Sequence, residues 1–175
     1  MSFVKSASTS VPAARSRQEL ERILRRYGAT AFATASDYAA GKVAITFRVP
    51  DRPSDAASVP VRLEASFKAV YDALNGRPTK RRWDDGTGYT DSFDPAGYDA
   101  KKLEQAERVA WRHLVLWVDA ACTAASVGLQ TMREAFYAHT LIRDESGQVG
   151  RLVDYIKTME GSGQLALPSG DGEAK

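Results

Sequence analysis

Two strictly alternating apolar runs lie close together in this chain. Val43, Ile45, Phe47 and Val49 alternate with Lys42, Ala44, Thr46 and Arg48, and Val59, Val61, Leu63, Ala65 and Phe67 follow with Arg62 and Glu64 on the opposite face. Period-2 alternation marks a strand with one buried face, because successive side chains point to opposite sides. The link between the runs is too short for the crossover of a dozen or more residues that a parallel pair needs, so they pair antiparallel. The stretch from Thr30 to Tyr38, rich in Thr, Ala and aromatics and followed by Ala40-Gly41, supplies a third strand. A three-stranded antiparallel meander from about Thr30 to Phe67 is expected.

A sheet with one apolar face must be covered, and helical patterns stand on both sides of it. Upstream, Ser16 opens a cap-like sequence with Glu19 three residues on; Leu20, Ile23, Leu24 and Tyr27 follow at helical spacing, and Gly28 stands where a helix ends. Downstream, Phe67, Val70, Tyr71 and Leu74 extend as a short helix to Asn75-Gly76. From Lys101, the apolar set Leu103, Ala106, Ala110, Leu114, Val118, Ala121 and Ala125 describes one long helix that Gly128 stops. Trp111, Val115, Trp117 and Cys122 widen its face, so it reads as apolar almost all round after Leu114. Thr131 to Glu134 is a capping box opening another helix, Asp144 to Gly147 a turn, and Val149, Leu152, Val153, Ile156 and Met159 a final amphipathic helix. The fold class is α+β: a small antiparallel meander packed against an N-terminal helix and a C-terminal helical part with one long central helix. Residues 15–167 form one domain, and residues 1–14 and 168–175, poor in large apolar groups, are flexible ends.

Composition limits the function classes. Among 175 residues, 24 Lys and Arg face 22 Asp and Glu, so the net charge is +2, and 43% apolar content is that of a globular chain. Bulk charge therefore gives no case for a polyanionic partner, and only local clusters can. Cys122 is the single cysteine and cannot form an internal disulfide. The N-terminus lacks a signal-type apolar core, and no apolar run approaches the roughly 20 residues of a membrane span. The expectation is a soluble intracellular protein with no membrane partner.

Enzyme signatures are missing. His113, His139 and Cys122 are too few to ligate zinc, neither CxxC nor HExxH occurs, and there is no GxSxG. Neither GxxxxGK[ST] nor a GxGxxG opening a helix is present. The best catalytic set is Asp84 and Asp85 with Asp99-Ala100-Lys101, as in a Mg²⁺-dependent nuclease, but those residues show no strand pattern to display the carboxylates. No catalytic residue, metal ligand or cofactor is assigned. Binding has the better case. Arg77, Lys80, Arg81 and Arg82 abut Trp83 in an aperiodic segment, 77–100, where cations can pair phosphates and aromatic rings stack on bases. On the exposed face of the first helix Arg15, Arg17, Arg22, Arg25 and Arg26 stand against only Glu19 and Glu21, a further basic cluster in which Arg22, Arg25 and Arg26 are candidate nucleic-acid contacts. Single- or double-stranded DNA is the expected partner; the alternative is an assembly factor docking a partner protein, with self-association open and the nuclease third.

Arg25-Arg26-Tyr27-Gly28-Ala29 before a hairpin, Val61-Arg62-Leu63, Glu107-Arg108 through Trp111-Arg112-His113-Leu114, Gly128 through Thr131, Glu134-Ala135-Phe136, Ala138-His139 and Gly147 to Gly150, taken as a set, resemble a family of small tailed-phage and prophage proteins. The likeness covers about Ser16 to Glu160 with gaps. It implies a phage or prophage setting among DNA replication and recombination functions, with the cytoplasm of a bacterial host as the location and a phage or host protein as the partner in the docking alternative, and it carries over no catalytic residue.

Overall fold

The computed structural model describes residues 4–50, 58–75, 98–144 and 146–161. Helix α1 (Ala13–Arg26) leads into strands β1 (Thr30–Asp37), β2 (Lys42–Pro50) and β3 (Ser58–Ser66), followed by α2 (Phe67–Asn75) and the long α3 (Ala100–Ser126). A short α4 (Met132–Phe136), a 3-10 turn (Tyr137–His139), a hairpin of β4 (Leu141–Arg143) and β5 (Val149–Arg151), and α5 (Leu152–Gly161) complete the described chain. The fold is α+β, as the alternating runs require.

The sheet order is β1-β2-β3, antiparallel throughout. Ile45 stands opposite Leu63 and Phe47 opposite Val61, so the two apolar runs share one face. Helix α3 covers that face: Trp111, Leu114, Val118 and Cys122 join Val43, Ile45, Phe47, Val61 and Leu63 in a single buried cluster. Phe136 closes it, its ring edge-on to Phe47 at 5.4 Å. α1 and α2 pack along α3 and add Leu20, Ile23, Leu24, Phe67 and Tyr71. Burial pushes the Cys122 thiol up to about 12, which leaves it protonated and inert.

Both long helices end alike. At α1 the Gly28 amide (φ +84°) donates to Arg25 O and the Ala29 amide to Leu24 O; at α3 the Gly128 amide (φ +77°) donates to Ala125 O and the Leu129 amide to Ala124 O. This is the paired closure for which glycine at C′ is suited.

Several details differ from the pattern-based expectation. α1 starts at Ala13, and Ser16 is fully buried inside it rather than capping it. The Arg15 and Ser16 amides donate to the Pro12 carbonyl, the ordinary backbone bonds of a first helical turn, and no side-chain hydrogen bond caps α1 at Pro12. α3 starts at Ala100 because the Asp99 carboxylate accepts from the Lys102 amide at 2.9 Å. α3 is not covered all round: Trp117 is 40% exposed, and Asp119 and Ala120 face solvent. Val149 belongs to β5, not to the last helix, and the β4–β5 hairpin carries too few residues for alternation to reveal it. The Thr131 to Glu134 capping box is present as read.

Candidate nucleic-acid interface

The inner side of α1 carries Leu20, Ile23 and Leu24 into the core. With 3.6 residues per turn, Arg15, Arg22 and Arg26 fall within about 40° of arc on the outer side, along about 16 Å of helix. All three are exposed. The helix has two carboxylates, and each is held by another arginine. Glu21 binds the Arg25 guanidinium at 2.6 Å, and Glu19 binds Arg112 of α3 at 2.6 Å. Arg17 is turned inward, its guanidinium 5.7 Å from the ring centre of Trp111, whose Nε1 is buried without an acceptor among the described residues. Arg25 also lies over the Phe32 ring at 5.1 Å. Arg15, Arg22 and Arg26 have no ion-pair partner among the described residues.

The basic cluster read from the sequence is thereby sorted. Among the described residues Arg15, Arg22 and Arg26 have no charged partner, Arg25 is engaged by Glu21 and Phe32, and Arg17, expected on the exposed face, is half-buried against Trp111. Helical phase marks that division, whereas the inward turn of Arg17 depends on Trp111, remote in sequence. Arg77, Lys80, Arg81, Arg82 and Trp83 lie outside the described residues, as do Asp84 and Asp85. Of the nuclease set, Asp99 is the cap of α3 and Lys101 is exposed beside it. Among the described residues no group of three or more His, Cys, Asp or Glu could hold a metal ion, and no helix is long and apolar enough to cross a membrane.

A second surface had no sequence signal. Residues 4–12 lie on α3, held through backbone carbonyls: Lys5 O contacts His113 Nε2 at 2.6 Å, and Gln105 Nε2 donates to Ala7 O and Thr9 O, both at 2.9 Å. Val4 and Lys5, Ala69, Val70 and Ala73 of α2, and His113, Leu116 and Trp117 of α3 line an open apolar groove of about 550 Å³. Trp117 also meets Phe136 and His139 edge-on, at 5.5 and 5.3 Å. The His139 imidazole is held below the usual histidine value by burial and then by Arg151, while Asp154 and Glu64 oppose them. No protein-family model matches this chain, and no curated protein or solved structure matches it significantly.

Proposed function

We propose that this chain is a non-catalytic nucleic-acid-associated accessory protein of a phage or prophage replication or recombination system. One observation carries the reading: α1 keeps Arg15, Arg22 and Arg26 in one exposed line while both of its carboxylates are neutralised by other arginines. A row of uncompensated cations along a helix is an electrostatic footprint for phosphates. The segment from Arg77 to Trp83 enters on its sequence alone, as a further set of cations beside a ring that can stack on a base. The phage setting rests on the family resemblance. Replacing Arg15, Arg22 and Arg26 together by Gln should weaken binding to labelled DNA and flatten the salt slope by roughly 2–3 units, since each lost phosphate contact releases about one counterion fewer. Wild-type protein without salt-sensitive binding to DNA or RNA would overturn the reading. The groove beside Trp117 would then favour docking of a protein partner.

A further inference from the structure

The two edges of the three-stranded sheet are treated differently. On the β3 side, Val61 bridges to Thr140 and the β4 strand follows alongside. On the β1 side, the outer edge has no backbone partner among the described residues. Exposed edges are usually blunted by Lys, Pro, a bulge or a very short strand, because their free N–H and C=O groups template further pairing. β1 uses one of these devices at one end only: the pairing is irregular between Thr30 and Ala33, where Ala31 sits at φ 55°. From Ala33 to Asp37 the register with β2 is unbroken, no proline or lysine intervenes, and the only charge is Asp37 at the end. Ala33, Thr34 and Ala35 are exposed, so neither face of this stretch is shielded by large side chains.

We propose that β1 pairs antiparallel with β1 of a second copy of this chain, joining two three-stranded sheets into one six-stranded sheet. A foreign peptide added to an edge is selected by pockets for its alternate side chains. From Ala33 to Ser36 this edge offers only small methyl and hydroxyl groups, so recognition falls to the backbone and to symmetry. A two-fold axis at Ala35, the midpoint of the regular stretch, sets Ala35 against Ala35, Thr34 against Ser36 and Ala33 against Asp37. No like charges are opposed. The antiparallel arrangement also carries Asp37 toward the partner's Thr30 end, where the exposed Arg48 is the next residue inward; a parallel one would set Asp37 beside Asp37. The interface is isologous and closes at two copies.

The proposal does not depend on nucleic-acid binding, and its test uses none. Sedimentation equilibrium of the full chain should show a concentration-dependent dimer. Ala35→Lys brings two ammonium groups together at the axis and should raise the dissociation constant at least about tenfold. Because Ala35 is exposed, the variant's thermal midpoint at dilutions where both proteins are monomeric should match that of wild type. Ala35→Val, which favours strand pairing, should keep the dimer. A wild-type chain that stays monomeric at its solubility limit overturns the proposal. A dimer whose dissociation constant is unchanged by Ala35→Lys also overturns it, by placing the contact on another face. A monomer that binds DNA with a salt slope would leave the proposed function intact.

Discussion

β1 and β2 lie side by side in one sheet, yet they do different work. Every inward residue of β2, namely Val43, Ile45, Phe47 and Val49, is at most 1% exposed, whereas in β1 only Phe32 and Ser36 are even partly covered. The difference follows from what stands above them. α3 crosses β2 and β3 with large apolar groups, but what it presents to β1 is Glu107, whose carboxylate accepts from Ser36 Oγ at 3.0 Å and from the Tyr38 hydroxyl at 3.1 Å. β2 and β3 hold the fold, and β1 is attached to it by its ladder, by a polar latch and by Phe32, which packs at the rim of the core beneath Arg25.

This contrast is open to measurement. The largest effect is expected at Phe47→Ala, which empties the space between β2 and Phe136 and should destabilise the chain by about 3–5 kcal/mol in denaturant unfolding. Leu114→Ala, on α3 above the same face, should follow at about 2–5 kcal/mol. A loss under about 1 kcal/mol at both sites would break the division between the two strands. Glu107→Ala removes the acceptor of two hydrogen bonds at a partly exposed site. About 1 kcal/mol is expected, together with faster amide exchange confined to β1. Thr34→Ala, on the exposed strand, should change stability by no more than about 0.5 kcal/mol.

Acidification sharpens the picture at the other edge of the sheet. Folded His139 holds a proton less readily than the unfolded chain does, because burial and Arg151 disfavour the imidazolium. The unfolded state therefore binds more protons as pH falls through the usual histidine value of about 6.5, and stability declines in that window. Glu134, Asp144 and Asp154 are held below the usual carboxylate range and lose their contribution only at lower pH, so the two effects separate. Thermal midpoints of His139→Gln should be flatter than those of wild type between about pH 7.5 and 5.5, where histidine titrates. Equal slopes would assign the window to another group.

The elements that sequence foretells here are those whose reasons are local. Alternation at Val43 to Val49 and Val59 to Phe67 reports a face, and Gly28, Gly128 and the Thr131 to Glu134 box report ends, each within a few residues. Pairings that join distant segments leave no such mark. Nothing near Arg17 announces Trp111, nothing near Gln105 announces the carbonyls of Ala7 and Thr9, and three-residue strands such as β4 and β5 are too brief for a period to show. The arginines of α1 were visible as a cluster. Their division into engaged and free required Glu19 to find Arg112, 93 positions away.

The two tryptophans of α3 give the molecule a pair of optical reporters. Trp111, fully enclosed beneath Arg17, should emit in the blue and shift red only when the domain unfolds, whereas Trp117, 40% exposed at the groove, should be open to collisional quenchers while the protein is native. In a chain carrying Trp83→Phe, iodide or acrylamide quenching would follow occupancy of the groove and the emission maximum would follow integrity of the core, so a bound partner and a loosened fold would be distinguished in one cuvette.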